Sequence, residues 1–462
     1  MLLRRHLKLM LIVIGLLMPT GSAFSIDLRE SYRLALQNDR QYRIVQARAK
    51  AGEEAVPQAL SQLLPNVGAS VTRNRTETDR TQSGTTTSVP RSPADNDVVQ
   101  LRQPIFRLRS VFALQQAREQ VKGARADLER ERQSVAVRVA GAYFETLFAR
   151  DRLSLLGAQR RNIEARLLAA TKALEAGTGV RTDIDEARAQ LDKLRAQEIG
   201  LLQNIRVTTA QLEVLIGQGV DSVVPIDLGH MTPEVFDPGE IDTLLELAME
   251  KSPDIMGRAA EMEAAKAAIK AAKADHLPTL DLIASYNRSF GENRFFNSTS
   301  LSPFEITSNS YGIQLSIPIY SGGLTQSRVR EAVAHSEESK ERYFYTVNSA
   351  QLELRKNFMA IKEGIAQFRA FEQALRSAEQ AVLSNQKGVL AGTRTSLDVL
   401  LVEQQRYQVE QDFAQSRYEM LAAWVRLNSL IGTMDEEEFD RLNQLLATGP
   451  VPASAVSQTA AH

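Results

Sequence analysis

Two short segments carry the residues with the clearest chemistry: AGTGVRTDID, Ala176 to Asp185, and AGTRTSLDVL, Ala391 to Leu400. In each, glycines (Gly177 and Gly179; Gly392) break a helix, and Thr182 or Ser396 stands where a hydroxyl can cap the next one. Asp183 and Asp398 fall in the first turn of that returning helix, where the dipole favours a carboxylate. Arg394 adds a cation to the second segment. This chemistry is capping, ion pairing and cation attraction, with no bond-making in it. The five histidines, His6, His230, His276, His335 and His462, are scattered, and no H-E-x-x-H occurs. The GTG at 177–179 lacks the lysine and spacing of a phosphate loop, and no Gly-x-Ser-x-Gly elbow is present. The chain has no cysteine, which excludes disulfides, thiol catalysis, thiolate metal ligands and a lipid on an N-terminal cysteine. No catalytic, cofactor-binding or metal-binding residue is expected, and the chain reads as something other than an enzyme.

The elements that must hold these segments are long helices. Pro104 and Pro225 bound one proline-free run, and Pro318 and Pro450 bound another. Proline inside a helix costs about 3 kcal/mol, so its absence permits long helices. Ala, Leu, Gln, Glu, Arg and Lys dominate both runs. Leu114, Ala117, Val121, Ala124 and Leu128 step by 3 and 4, the spacing of a coiled-coil seam with small residues in it. From Ile105 to the first turn the helix would be roughly 108 Å long at 1.5 Å per residue. A helix of that length must lie beside partners rather than inside a compact core, and the turns supply one partner by sending the chain back.

The chain also repeats itself. LLPNVGASVTRNR (63–75) matches HLPTLDLIASYNR (276–288), VQLRQPIF (99–106) matches IQLSIPIY (313–320), and the two turns match each other. The offset drifts only from 213 to 215, so one unit is present twice in tandem. Before each long helix the apolar period changes to two. Val67, Ala69 and Val71 alternate with polar or small residues, as do Leu280, Leu282, Ala284 and Tyr286, and Tyr311, Ile313, Leu315, Ile317 and Ile319. These segments predict strands of about ten residues, the length of a tilted membrane strand, paired across polar loops at 74–97 and 288–309. Soluble hairpins packed on the helices are the alternative. Four strands cannot close a barrel, so a membrane reading needs several copies.

The N-terminus, MLLRRHLKLMLIVIGLLMPTGSAFS, has a basic start, an apolar run from Leu9 to Met18 and small residues before Ser25. It reads as a secretory signal peptide, too short to span a bilayer. Removing Arg4, Arg5 and Lys8 with it takes the formal charge from −1 to −4. Neither value offers the basic field that nucleic acid would require.

Tandem halves of this kind, with the motifs HLPTLDL (276–282), LSIPIYSGG (315–323), RQPIF (102–106), AYF (142–144) and GTRTSLDVL (392–400), resemble the TolC-like outer-membrane channel family. The likeness covers about Ile26 to Leu446, and the missing lipid-acceptor cysteine makes it similar to the non-lipidated branch. The resemblance implies a fold mixing all-α and membrane-β parts: a homotrimer whose four strands per copy make a twelve-stranded barrel in the outer membrane, joined to a long α-helical barrel crossing the periplasm. It implies a passive export channel for type I protein secretion, drug efflux or both. The partners implied are a periplasmic adaptor protein, an inner-membrane ABC or proton-driven pump and outer-membrane lipid, with no nucleic acid and no cofactor. The corresponding organisation is a leader at 1–25, a first repeat at 26–220, a linker at 221–240, a second repeat at 241–432, an equatorial segment at 433–447 and a disordered tail at 448–462. Strands are expected near 64–74, 97–106, 277–288 and 310–320, long helices near 105–176 and 321–391, and return helices near 182–216 and 396–432. The segments near 218–240 and beyond 431 would belt the middle.

In that family the turns close the duct and meet the adaptor. Gly177, Thr178, Gly392 and Thr393 would present the turns. Arg394 would tie the second hairpin to the first near Thr182 and Asp183. Asp398 would face the lumen, three copies forming a carboxylate ring that attracts cations. Val389 and Leu401 depart from the pattern, standing where a polar aromatic hydroxyl and a second acidic ring can occur; fewer polar ties and a weaker cation trap are expected. Two alternatives are a periplasmic adaptor, which normally has one hairpin flanked by small β-domains, and a coiled-coil stalk, which would lack the paired strands.

Overall fold

The computed structural model describes residues 25–82, 84–226, 231–294 and 301–447. The expected leader, except Ser25, and the expected tail from Thr448 lie outside the described residues. The elements in chain order are β1 (Ser25–Ile26), α1 (Leu28–Asn38), α2 (Arg40–Glu53), α3 (Ala55–Ser61), β2 (Asn66–Gln82), β3 (Thr85–Phe106), α4 (Leu108–Glu175) and α5 (Arg181–Ile216). Then come β4 (Ser222–Val223), a 3₁₀ turn (Pro233–Phe236), α6 (Ile241–Lys251), α7 (Pro253–Ala274), β5 (Thr279–Arg294), β6 (Leu301–Ser316), α8 (Leu324–Leu390), α9 (Ser396–Ile431) and α10 (Glu436–Ala447). Helix dominates, with α4 and α8 at 68 and 67 residues.

The chain forms two compact units that do not follow the two sequence halves. One takes residues up to 46, 128–253 and from 348 on; the other takes 47–127 and 254–347. Each draws on both halves, and in the second unit β3 pairs with β5 across them.

In the first unit the core gathers where α1, α4, α5, α8, α9 and α10 converge. Leu212, Ile216, Leu354, Ile361 and Leu421 are fully covered there. Tyr32 of α1 stacks on Phe439 of α10 with ring centroids 4.4 Å apart, and Phe236 meets the edge of Trp424 at 5.9 Å. The short parallel pair of β1 and β4 caps this core, and the Tyr143 hydroxyl donates to the Val224 carbonyl at 3.0 Å. A smaller cluster toward the turns holds Leu156 and Ile163 of α4 against Ala187, Leu191, Leu194 and Leu201 of α5, with Leu400 of α9. Its steps of 7 on one side and 4, 3 and 7 on the other are a coiled-coil seam.

The second unit holds α3 and the four-stranded antiparallel sheet, ordered β2-β3-β5-β6, together with parts of α2, α4, α7 and α8. Ala260, Ala264, Ala267, Ala271 and Ala274 form a buried stripe on α7 stepping by 4 and 3. It lets the helices approach closely: a Cβ on Gly257 would lie 3.5 Å from Ala126, and one on Gly52 3.1 Å from Ala124. The seam expected in α4 lies on the covered side, with Ala117 and Val121 buried and Leu114, Ala124 and Leu128 half-buried.

The strands are longer than ten residues, and this corrects the two expected loops. β2 and β3 run to 17 and 22 residues, β5 and β6 to 16 each, so the ladder continues through most of 74–97 and 288–309. β-branched threonines suit a pleated surface, and ion pairs across the strands, Arg73 with Asp97 at 2.5 Å and Arg288 with Glu305 at 2.6 Å, join the polar portions. At the other end β6 stops at Ser316; Pro318 has no N–H to give a ladder, and Ile317–Tyr320 lie outside the strand. Gly322 and Gly323, at φ 64° and 84°, then delay the helix to Leu324. At the foot of the sheet Asp281, only 2% exposed, is held by Arg102 at 2.5 Å and Arg107 at 2.9 Å.

Gly432 closes α9 at φ 91°, and a Cβ there would stand 2.8 Å from the Lys251 carbonyl oxygen. Left-handed backbone costs an L-residue about 1–2 kcal/mol before that clash is counted. Gly432→Ala should therefore lower the thermal midpoint of the purified protein; an unchanged midpoint would mean that the Lys251 carbonyl yields freely.

Candidate functional site

The two turns are built alike, atom for atom, at an offset of 215. In the first, the Ala176 amide donates to Lys172 O (3.0 Å), Gly177 to Leu174 O (3.0 Å) and Thr178 to Ala173 O (2.9 Å). In the second, Ala391 donates to Lys387 O (3.0 Å), Gly392 to Val389 O (3.0 Å) and Thr393 to Gly388 O (2.9 Å). Gly177 and Gly392 take φ of 75° and 71°, which only glycine adopts without strain. The threonine hydroxyls repeat the pattern, Thr178 donating to Ala173 O and Thr393 to Gly388 O.

The turns differ in where they keep a second glycine. The chain leaving each turn recrosses the helix it came from, and two residues meet there: 173 with 179, and 388 with 394. In the first turn Gly179 yields, since a Cβ on it would lie 2.9 Å from the Ala173 Cβ. In the second Gly388 yields, since its Cβ would lie 2.7 Å from the Arg394 Cγ. Arg394 thus occupies its place because residue 388 has no side chain.

The caps correct one expectation. Thr182 and Ser396 are not the capping residues: they lie inside the first turn of α5 and α9, because the loops are short enough for helix to resume before them. The cap positions are Val180 and Thr395. Thr395 and Asp398 form a reciprocal capping box. The Asp398 amide donates to Thr395 Oγ1 (3.2 Å), and the Thr395 amide and hydroxyl donate to Asp398 Oδ2 (2.8 and 2.9 Å). The bond from the Thr395 amide, then that from its hydroxyl, and then the nearby Arg394 charge hold the Asp398 carboxyl below its usual range. Val180 has no hydroxyl, so α5 starts without such a box and Asp183 occupies its first turn uncapped.

Arg394 is exposed, and among the described residues it makes no hydrogen bond or ion pair with Thr182 or Asp183 of its own chain. Val389 and Leu401 are both exposed apolar residues. Another arginine and another carboxylate join the hairpins instead. Arg166 of α4 donates through Nη2 to Glu403 Oε1 of α9, and Gln386 of α8 donates to the same oxygen at 3.3 Å. The Glu403 side chain is 4% exposed. Farther along, the Tyr418 hydroxyl of α9 donates to Asp151 of α4 at 2.7 Å. Burial raises the Asp151 carboxyl against the lowering effect of that bond. Between these contacts a polar hollow of about 560 Å³ opens among α4, α5 and α9, lined by Gln159, Gln190, Gln197, Gln404 and Gln408. Sequence reasoning missed Arg166 and Glu403. The available signal was that Glu403 follows Val399 and Leu400 at helical spacing, which places a carboxylate on an apolar stripe. Among the described residues no group of three or more His, Cys, Asp or Glu side chains could hold a metal ion.

The family model for outer membrane efflux protein matches residues 31–218 and 244–433. The chain is 28% identical over 454 residues to the proteases secretion protein PrtF of Dickeya chrysanthemi, covering 96% of each chain. It is 29% identical to the alkaline protease secretion protein AprF of Pseudomonas aeruginosa, over 95% of this chain and 91% of that one. It is 28% identical to the outer membrane protein TolC of Escherichia coli, over 95% of this chain and 89% of that one. The fold is that of CusC, with a TM-score of 0.76 at 17% identity over 89% of this chain and 94% of that one. It is also that of the outer membrane protein VceC of Vibrio cholerae, with a TM-score of 0.73 at 21% identity over 88% and 96%. This chain belongs to the outer membrane efflux protein family.

Proposed function

We propose that the chain is the outer-membrane exit duct of a tripartite export system serving type I protein secretion, drug efflux or both. The family is one of outer-membrane channels, and the periplasmic-adaptor alternative is dropped with that match.

The observation that carries the proposal is the sheet. Val67 faces Leu101, Leu101 faces Ala284, and Ala284 faces Tyr311 in one cross-strand row; Ala69, Val99 and Tyr286 form the next. These residues share one face, apolar across all four strands in the first row, ending on Asn309 of β6 in the second and turning polar beyond, where Val71 faces Asp97; Val67, Val71 and Ile313 are each about two-thirds exposed on it (67%, 69% and 67%). The other face carries Gly68, Ser70, Gln100, Arg102, Ser285 and Ser310, with the two serine hydroxyls 2.8 Å apart. Apolar on one side and mostly polar on the other is the pattern of a barrel strand between lipid and water.

β2 and β6 are the outer strands, and each has one edge without a partner among the described residues. In hydrocarbon an unpaired strand edge is not tolerated, and four strands are too few to enclose a lumen. A neighbouring copy that sets its β2 beside this β6 satisfies both edges. Three copies give twelve strands. The long helical hairpins then continue the duct into the periplasm, and Gly177, Thr178, Gly392 and Thr393 present its turns to an adaptor coupled to an inner-membrane pump.

In this reading Arg394, Asp398, Thr182 and Asp183 form the periplasmic aperture. The tie from Arg394 to Thr182 and Asp183, which one chain does not make, joins neighbouring copies. Asp398 serves twice, as the cap of α9 and as one member of a carboxylate ring.

Reconstitution into planar bilayers tests the duct, with native mass of the detergent-solubilised protein. A passive pore and a mass of three copies are expected; a monomer that never conducts would sink the reading. Arg394→Ser should raise the resting conductance by removing the tie. Gly388→Ala should act in the same direction by displacing the Arg394 side chain, and parent-like conductance in both would remove Arg394 from the aperture. Asp398→Asn keeps a side chain able to cap while deleting the charge, so block by trivalent cations should weaken; equal block in variant and parent would refute the ring.

A further inference from the structure

The foot of the sheet holds a charge that the ladder above it does without. Arg102 lies on the mostly polar face, in one cross-strand row with Asn66, Ile283 and Gly312, and Asp281 shares that face two residues along β5 from Ile283. Rising from Arg102, the next four rows on this face, from that of Gln100 to that of Ala94, carry no ionisable side chain. Arg102 Nε and Nη2 both donate to Asp281 Oδ2, at 3.1 and 2.5 Å, and Arg107 Nη2 reaches both carboxylate oxygens, at 3.0 and 2.9 Å. One carboxylate thus meets two guanidinium groups, and among the described residues neither arginine pairs with a second carboxylate. The cluster is left with one net positive charge.

Burial decides which sign solvent meets. The Asp281 side chain is 2% exposed, Arg107 is 28% and Arg102 is 49%. The carboxylate is sealed beneath the guanidinium groups, so the surface shows their positive ends, and the buried Nε of Arg107 has no hydrogen-bond partner. Beside the cluster lies a hollow of about 290 Å³. Arg107 lines it with Arg109, itself matched by Asp275, and with Thr279 and Ser316, which face each other across β5 and β6. Guanidinium forks and hydroxyls around one hollow suit carboxylate or phosphate oxygens. The repeat does not supply the cluster twice: Ser316 and Ser321 match Arg102 and Arg107, and Gly68 matches Asp281. β6 therefore passes into its long helix without such a cluster, and fastening strand to helix does not require one.

From this geometry we infer that Arg102, Arg107 and Asp281 form an anion-selecting collar in the wall of the duct, a site for multivalent oxyanions. The inference rests on the channel reading above, in which the polar face of the sheet lines the lumen and three copies bring three such clusters together. Rings of charged side chains set the ion preference of a pore, and arginine rings favour anions. The collar is opposite in sign to the ring proposed for Asp398, so the duct carries two stations of opposite preference.

The test uses the full chain in planar bilayers, with inositol hexakisphosphate added to each side in turn as the probe. The parent pore should be blocked. Arg102→Gln keeps a donor for Asp281 but cancels the net charge, so the half-blocking concentration should rise about tenfold. Asp281→Asn removes the negative charge, so that concentration should fall, and Arg102→Lys should stay near the parent. Reversal potentials in a KCl gradient should move toward cation preference in Arg102→Gln and toward anion preference in Asp281→Asn. A purely structural role would move both variants together or neither. A parent pore that the probe does not block, equal block in Arg102→Gln and parent, or shifts of the same sign in Arg102→Gln and Asp281→Asn would overturn the inference. Should Asp281→Asn fail to assemble, the Arg102 variants decide alone: block lost in Arg102→Lys as well as in Arg102→Gln would mark a packing defect and overturn it. A parent protein that forms no pore would instead bring down the channel reading itself, so the two failures are told apart.

Discussion

The rest of the structure depends on the unpaired edges of a four-stranded sheet. A strand edge holds a row of N–H and C=O groups that water would satisfy and hydrocarbon cannot. β2 and β6 carry such rows over lengths of 17 and 16 residues, beside an apolar face on which Val67, Val71 and Ile313 are exposed. The subunit is therefore incomplete in two directions, along the sheet and across its surface. In the proposed duct a copy of itself answers the first and lipid the second. The helices follow the same logic: α4 and α8 are too long to bury a stripe in one compact core, and each gives residues to two units.

Small side chains set how closely those helices lie. The alanine stripe on α7 and the glycines facing Ala124 and Ala126 exchange hydrophobic bulk for proximity, which suits a thin wall better than a thick core. The same exchange appears at the tips. Each turn needs one residue without a side chain where the chain recrosses its helix, and the two copies place it on opposite partners, Gly179 in one and Gly388 in the other. Only in the second turn, where residue 388 is the glycine, does the crossing position hold an arginine.

Much of this was legible in the sequence, for identifiable reasons. Proline-free runs marked the long helices because proline is excluded sterically from helix interiors. Glycines marked the turns because left-handed backbone excludes other residues. Alternation marked the strands near Val67 and Ile313, where one face is apolar. It failed beyond Arg73, where both faces are polar and the ladder continues on threonines and ion pairs, and beyond Arg288, where Phe290 falls on one face and Phe304 and Ile306 on the other, so no period-two signal in hydrophobicity remains. The caps were misplaced by two residues in the first turn and by one in the second, because Thr182 and Ser396 are as good at capping as Thr395 and only the loop length decides among them. Glu403 escaped notice because an acidic residue beside Gln404 and Gln405 reads as solvated. Its burial is set by Arg166, 237 positions away.

The capping box at Thr395 has no equivalent at Val180, and this makes the two ends of a duplicated design unequal in softness. At the start of α9 the Thr395 and Asp398 amides are fastened to side chains, whereas α5 has no side-chain cap. Amide protons at the start of α5 would exchange with deuterium sooner than their counterparts in α9. The tip of the first hairpin can thus still adjust its shape, whereas the tip of the second is already set.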